Sequence, residues 1–293
     1  MRCIDEAEFV AAAPKLIQEG CLYNLIDPGD APERRLTGKD IGQAGLVRNP
    51  FLAQKPSERI YCQRVSDQAL DFLSQLEEER SGNKGQLLEP VPFCGWIISS
   101  HPLRTLAGYL SRQLYQESPE GKKALFRFYD PRVLRHLPGI LWPWQLSALL
   151  GPVDRWIYLD NFGKLREIAP HQEKRHYGAP RLTLEQWRAV RRIGLFNQCL
   201  ERYLALPEED RHEAVPFDVI DSLIVSAAQH RVTDSANTVA FVLHGLATNP
   251  QFYRHPIMQK LLARLDDRAS YISLTNQLAD EEWDAISTYR END

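Results

Sequence analysis

The feature that most constrains the fold of this chain is a change of pattern partway along it. From Cys21 to Asp160, short β-like runs alternate with helical stretches, whereas beyond Leu182 the periodicity is helical throughout. Strands that alternate with helices are typical of crossover units, which favour parallel pairing. We therefore predict an α/β lobe over residues 1–165, with a mixed or mostly parallel sheet flanked by helices. A polar linker over 166–181 and an all-α helical lobe over 182–293 follow it.

Apolar runs predict the strands of the first lobe. The run Phe93–Ser100 is almost uninterrupted, as in a strand that is buried on both faces. Residues 29–50 are rich in glycine, proline and charge and are predicted to form a loop. The other predicted strands are Cys21–Ile26, a short one at Phe51–Gln54, Ala124–Tyr129 and Arg155–Asp160.

Apolar residues at helical spacing and capping residues predict the helices. Thr183 and Gln186 have the spacing of a capping box at the start of the second lobe. In the first lobe the predicted helices are Ser66–Arg80, Pro102–Tyr115 and Trp144–Leu150. In the second they run from Thr183 to Leu206, from Pro216, from a Ser235 cap, around Ile257–Leu265 and over Asp280–Arg290.

The net charge argues against one class of function, general nucleic-acid binding, and the uneven distribution of charge leaves the role of two segments open. The 293 residues carry a net charge of -4, which argues against a general nucleic-acid binder. Residues 166–192, however, hold seven Lys and Arg against three Asp and Glu, and residues 266–293 hold eight acids against two Arg. Either segment could dock a partner, although a solvated helix face is the interpretation we favour.

Targeting signals and cysteine usage predict a cytoplasmic protein. Asp5, Glu6 and Glu8 interrupt the segment where a secretory signal would begin, and the uncharged stretch Ser235–Tyr253 is too polar to span a bilayer. The five cysteines are widely spaced and form no C-x-x-C pair. This usage is typical of free thiols in a reducing compartment, so we expect neither secretion nor membrane insertion.

A search for catalytic, metal and cofactor motifs gives no strong candidate. Gly38, Gly42 and Gly45 fit neither phosphate-binding fingerprint, and no His or Cys group has metal-ligand spacing. Ser99-Ser100-His101 is the one tempting nucleophile cluster, but neighbours on an extended chain point to opposite faces. We predict no cofactor, no metal and no catalytic residue.

The segment Phe126–Arg132 (FRFYDPR) is the most informative motif. A catalytic interpretation would use Asp130 as a base between Arg127 and Arg132 at the end of a strand, where open sheets place ligands. A structural interpretation has Asp130 capping a helix that begins at Pro131 and pairing with an arginine. We favour the structural role for Arg127, Asp130, Pro131 and Arg132.

Aromatic and basic residues supply candidates for protein binding. Trp142 and Trp144 could present one or both rings to a partner, although burial of both in the core is the commoner arrangement. The basic candidates, which we expect to steer an acidic partner segment, are Lys174, Arg175, Arg181, Arg188 and Arg192.

Over residues 20–160 the sequence resembles the type VI secretion effector chaperones, or adaptor proteins. The FRFYDPR run is the specific element of this resemblance. The other matching segments are Leu22–Asp27, Asn49–Leu52, Gly95–Ser100, the Leu103–Leu110 helix, Val133-Leu134, Gln145-Leu146 and Gly151–Val153 before Trp156. The resemblance implies a bacterial cytoplasmic, non-enzymatic protein. It would hold a secreted toxic effector and load it onto the spike protein of the secretion machine.

Two other functions stay open at this stage. One is an enzyme that acts on a small molecule or phosphate through Asp130 with Arg127 and Arg132. The other is a regulatory module that holds nucleic acid through the basic stretch 166–192.

Overall fold

Contacts between residues divide the chain into two compact units. The computed structural model describes residues 2–29, 31–65, 72–170, 175–211, 217–266 and 269–289. The first unit is Met1–Ile193 and the second is Gly194–Asp293. The division therefore falls within a helix, Leu184–Leu204, and not in the linker predicted over 166–181. That predicted linker begins inside a strand, Leu165–Ile168, which pairs in the sheet of the first unit.

The first unit is built on an antiparallel sheet. Within the described residues, seven strands are hydrogen-bonded in the order β1-β9-β8-β5-β2-β4-β3, and each neighbouring pair is antiparallel. A separate hairpin pairs β6 with β7. The strands are β1 (Arg2–Cys3), β2 (Leu22–Ile26), β3 (Gly45–Val47), β4 (Ile60–Arg64), β5 (Phe93–Ile98), β6 (Tyr115–Glu117), β7 (Lys123–Leu125), β8 (Arg155–Leu159) and β9 (Leu165–Ile168).

The prediction of a mixed or mostly parallel sheet is wrong, and the reason lies in strand order. β4 and β5 run in the same direction and are connected through a helix, as in a crossover unit. β2 is inserted between them and pairs antiparallel with both. The alternation of strands and helices in the sequence indicates that a helix connects two strands. It does not indicate whether another strand lies between those two in the sheet.

Helices cover both faces of this sheet, as predicted. In the first unit they are α1 (Glu6–Gln18), α2 (Gly38–Ile41), α3 (Phe72–Asn83), α4 (Leu103–Gln113), α5 (Pro131–Leu134), α6 (Leu137–Ile140) and α7 (Pro143–Leu150), followed by α8 (Leu184–Leu204). One core packs α1 and α3 against Trp96 and Ile98. The other packs α4, the short helices α5–α7 and Trp187 against Ile97 and Trp156. The strand predicted to be buried on both faces is β5, and all six of its residues are buried.

Several predicted elements differ from those observed. The predicted loop over 29–50 contains α2 and β3, and Phe51–Gln54 is not a strand. The predicted strand Ala124–Tyr129 is reduced to the end of the β6–β7 hairpin and lies outside the main sheet. The sequence also missed α1, α6, β1, β4, β6 and β9, whereas the predicted cap Ser66 lies outside the described residues.

The second unit is helical in the part that the structure describes. Its helices after α8 are α9 (Phe217–Gln229), α10 (Ser235–Ala247), α11 (Pro256–Leu262), α12 (Tyr271–Thr275) and α13 (Asp280–Ser287). Asp234, not Ser235, caps α10, because its carboxylate accepts the Asn237 N–H. α12 was not predicted, and Pro216 and Arg290, which bound predicted helices, lie outside the described residues. None of the helices described here is long and apolar enough to cross a membrane.

Candidate protein-binding site

Trp142 and Trp144 lie at a turn whose backbone is held by the buried side-chain amides of two glutamines. Trp142 is the residue before α7, and its backbone N–H donates to the Gln145 side-chain oxygen at 2.8 Å. The side-chain amides of Gln145 and Gln186 lie within hydrogen-bond distance of each other. The distance is 2.9 Å from the Gln145 nitrogen to the Gln186 oxygen and 2.6 Å from the Gln186 nitrogen to the Gln145 oxygen. Gln186 also donates to the Ile140 carbonyl at 2.9 Å, on the near side of the turn. A hydrogen-bonded pair of buried side chains therefore fixes the backbone that carries both indoles.

Both indole rings are largely outside the core. Trp142 is 51% exposed and Trp144 is 39% exposed, with ring centroids 6.3 Å apart. Burial of both rings, the arrangement favoured from the sequence, is therefore wrong. The reason is that α7 turns Gln145, Ala148 and Leu149 inward, which leaves the residues at its start outside the core.

A second segment extends this exposed surface. The His176 ring lies 6.3 Å from the Trp144 ring, and the next residue, Tyr177, is 58% exposed. The backbone there is anchored because the Gly178 N–H donates to the Tyr109 hydroxyl at 3.0 Å and the Gly178 carbonyl accepts from Gln113 at 3.1 Å. We call Trp142, Trp144, His176 and Tyr177 the aromatic patch. Exposed aromatics on an anchored backbone are typical of binding hot spots.

The predicted basic residues have different surroundings. Arg175 pairs with Asp154 and donates to the Gly151 carbonyl, so its charge is already matched. Arg181 is exposed, and its carbonyl accepts from Gln145, which places its backbone beside the start of α7. Arg188 and Arg192 are four residues apart on α8, with Arg188 exposed and Arg192 half-buried. Lys174 lies outside the described residues.

The Asp130 cluster has the geometry of the structural interpretation. The Asp130 carboxylate is 5% exposed and accepts the Arg132 N–H at 3.0 Å, which caps α5 at Pro131 as predicted. The Arg132 guanidinium donates to both carboxylate oxygens, at 2.9 and 2.6 Å, and also to the Leu88 carbonyl. Asp130 follows the β6–β7 hairpin and does not lie at the end of a main-sheet strand, so the placement on which the catalytic interpretation relied is wrong.

The charges around Asp130 are arranged in alternation. The Arg127 guanidinium lies 3.6 Å from Asp130 and 3.8 Å from Asp27, which follows β2. Burial alone would lower the pKa of Arg127, but Tyr129 and the two carboxylates outweigh it and raise that pKa. Burial raises the pKa of the Tyr129 phenol and of the Cys94 thiol. Both groups therefore stay protonated at neutral pH, and this network is suited to joining the end of β2 to the 126–132 segment.

The other sequence candidates have structural partners. The Ser99 hydroxyl donates to the Pro152 carbonyl at 2.7 Å and accepts the His101 N–H at 3.1 Å, so it shapes a turn. Gly45 lies in β3, while Gly38 and Gly42 begin and end the short helix α2. In the part of the chain that the structure describes, no group of three or more His, Cys, Asp or Glu side chains could hold a metal ion.

Sequence reasoning missed His176 and Tyr177. Both fall in the segment taken as a linker, and no local pattern distinguishes them from other polar-loop residues. The place of His176 beside Trp144 depends on bonds from Tyr109 and Gln113 to Gly178, and both residues lie more than 60 residues earlier in the chain.

A comparison with protein families matches part of the chain. A family model described as a domain of unknown function (DUF4123) matches residues 51–148. The matched residues include β4 to β7, the Asp130 cluster and both tryptophans of the aromatic patch, but no part of the second unit. No curated protein and no solved structure matches the chain.

Proposed function

We propose that this protein is a non-enzymatic adaptor of the bacterial cytoplasm. It binds a type VI secretion effector and helps load it onto the spike protein of the secretion machine. The proposal combines a general part, protein binding through the first unit, with a specific part, the identity of the two partners.

The aromatic patch carries the general part. Trp142 and Trp144 are exposed although each could bury a large apolar area, and the Gln145–Gln186 pair holds their backbone in that position. Truncation of a hot-spot tryptophan typically costs about 2 kcal/mol of binding free energy or more, which is roughly a thirtyfold loss of affinity. A preorganised backbone adds to affinity because less conformational entropy is lost on binding.

The specific part rests on the resemblance of residues 20–160 to effector chaperones and on the family match over residues 51–148. Because the matched region contains the two tryptophans, we assign the contact with the spike protein to the first unit. The second unit lies outside the match, and we assign the choice of effector to it.

The alternative enzyme would need Asp130 as a base. Both oxygens of this carboxylate already accept hydrogen bonds from Arg132, and the residue is buried. A group with that environment is poorly placed to take a proton from a substrate, so the observation favours the adaptor.

The test is co-purification of the tagged full-length chain from its native host, followed by mass spectrometry. We expect an effector and a spike protein among the captured proteins. The double variant Trp142→Ala/Trp144→Ala should lose the spike protein, with its affinity reduced by roughly thirtyfold or more when measured with the purified pair. Its melting temperature should change little, because neither ring is in the core.

The matched control is Leu52→Ala, which truncates another exposed apolar side chain of the same unit. It should bind both partners as the wild type does. Equal binding by the tryptophan variant and the wild type would contradict the assignment of the patch, and turnover of a small molecule lost in Asp130→Ala would favour the enzyme.

A further inference from the structure

A second surface of the first unit lies at the edge of the sheet formed by β3. β3 pairs with β4 on one side, and among the described residues no strand pairs with its other side. Such an edge leaves backbone N–H and C=O groups able to bond another strand. Proteins commonly protect edges by keeping the edge strand very short or by placing prolines or charged residues in it; β3 (Gly45-Leu46-Val47) is short but contains neither a proline nor a charge.

A groove of about 690 Å³ runs along the junction of β3 and α4. Its floor is made by the close approach of the two elements, since a Cβ on Gly45 would lie 2.9 Å from the Ala107 Cβ. The Arg48 N–H donates to the Ser111 hydroxyl at 2.9 Å, which fixes the end of β3 against α4. The edge and the helix therefore form one preformed surface.

One residue of the groove leaves open space above α4. Gly108 lies inside α4 and lines the groove, yet a Cβ there would meet nothing closer than Arg112 Nη1 at 3.9 Å. Glycine inside a helix is destabilising relative to leucine or alanine. An open glycine at this position leaves room for the close approach of another backbone.

The charge of the groove indicates what it would accept. The charged side chains among its lining residues are Arg48 and Arg104, both exposed, and no acidic side chain of the described chain lines it. A segment that carries Asp or Glu would complement these two arginines, whereas a basic segment would be repelled.

We propose that an extended acidic segment of a partner protein adds to the outer edge of β3 as a further strand, lying against α4 over Gly108. Main-chain hydrogen bonds to β3 supply affinity, and Arg48 and Arg104 select carboxylates on the added strand. This surface shares no residue with the aromatic patch. The inference rests on the proposed adaptor function only because the added strand comes from a partner protein. Peptide binding alone can test it.

The test begins with a phage library of random decapeptides selected against the intact chain. We expect the selected peptides to alternate Asp or Glu with β-branched residues. A synthetic copy of the best peptide, labelled with a fluorophore, then gives a dissociation constant by anisotropy. N-methylation of alternate backbone amides, in the register that faces β3, should abolish binding because it removes the donors that strand pairing needs.

Protein variants locate the site. Gly108→Leu fills the groove and is favourable for the helix, so it should abolish peptide binding without lowering the melting temperature. The matched control is Gly82→Leu, a helical glycine of α3 with open space around it, which should bind normally. The double reversal Arg48→Glu/Arg104→Glu should weaken binding by about tenfold or more, because carboxylates then face carboxylates.

Other outcomes overturn the inference. These are a library that yields no binding peptide, selected peptides without acidic residues, or binding that survives Gly108→Leu or N-methylation. Self-association that Gly108→Leu abolishes would assign the edge to a second copy of this chain instead. The aromatic patch is intact in all of these variants. Failure of the strand-addition test therefore leaves the tryptophan test of the adaptor function unaffected. Failure of the tryptophan test likewise leaves the strand-addition test unaffected.

Discussion

The two units differ in how far along the sequence their stabilising polar contacts reach. In the first unit, Tyr109 bonds Gly178, Gln145 bonds Gln186, and the Trp156 indole donates to the Cys94 carbonyl, which are separations of 69, 41 and 62 residues. In the described residues of the second unit most side-chain hydrogen bonds are local, as in the caps by Asp234 and Ser270, which each reach three residues. The first unit therefore depends on contacts between segments that are distant in the sequence. The helices of the second unit are specified largely by local sequence.

The aromatic patch and the β3 edge depend on such long-range contacts. The aromatic patch and the β3 edge both lie in the first unit, and each joins residues that are remote in the sequence. A change at the centre of the first unit should therefore disturb both surfaces together, while a change in the second unit should leave them intact.

The largest expected effect follows truncation of Trp156. This residue is fully buried on one sheet face, its N–H donates to the Cys94 carbonyl at 3.1 Å, and its ring lies 6.0 Å from Phe128. Trp156→Ala should lower the free energy of unfolding by about 3–5 kcal/mol, as measured by urea titration. It should also reduce binding at both surfaces.

Trp156→Phe sharpens this test, because it keeps a buried aromatic ring but removes the N–H donor together with the pyrrole part of the indole. We expect a loss of about 1–2 kcal/mol for this variant. A Trp156→Ala protein as stable as the wild type would mean that the sheet core does not depend on this long-range contact.

A smaller effect is expected from acid, and it should arise in the second unit. Burial lowers the pKa of His244 to about 4, and its Nδ1 lies 2.7 Å from the Tyr271 hydroxyl. In the unfolded chain a histidine titrates near 6.5, so between these values the unfolded state binds a proton that the folded state does not. Stability is therefore complete above about pH 6.5 and falls as the pH drops towards 4, by about 3 kcal/mol at most.

His244→Gln provides the control, since an amide can still bond Tyr271 but does not titrate. Urea titrations between about pH 4 and pH 7 should show a flatter dependence for this variant. Burial also lowers the pKa of His230, so part of the slope should remain. An unchanged slope would show that His244 does not contribute to the acid sensitivity of the second unit.

The smallest of these effects concerns Asp130, whose cap is local but whose ion pairs link it to Arg127 and Arg132. Asp130→Ala should cost about 1–3 kcal/mol, because the α5 cap is lost and the largely buried Arg132 guanidinium loses its carboxylate partner. Thermal melting measures the change. Asp130→Asn should cost less, since its amide oxygen can still accept the Arg132 N–H, and equal losses in the two variants would mean that the cap contributes nothing beyond the charge.

Predictions from the sequence succeeded where the pattern is local. Thr183 and Gln186 form the predicted capping box, with N–H to side-chain oxygen distances of 2.9 and 3.2 Å. The α4 stripe of Leu106, Ala107 and Leu110 is buried as its spacing indicates. They failed at β3, which has three residues and begins with a glycine, because its pairing with β4 gives no signal in so short a run.

The amino-acid sequence by itself determined which segments of this protein bury a face, the cap at Asp130 and the change to helices beyond Leu182. Only the tertiary structure decided the antiparallel strand order and the exposure of Trp142 and Trp144. The physical reason is that periodicity and capping depend on residues within one or two turns, which the chain carries as a local pattern. Whether a ring is covered, or which strand is inserted between two others, depends on segments tens of residues away that meet only when the chain folds.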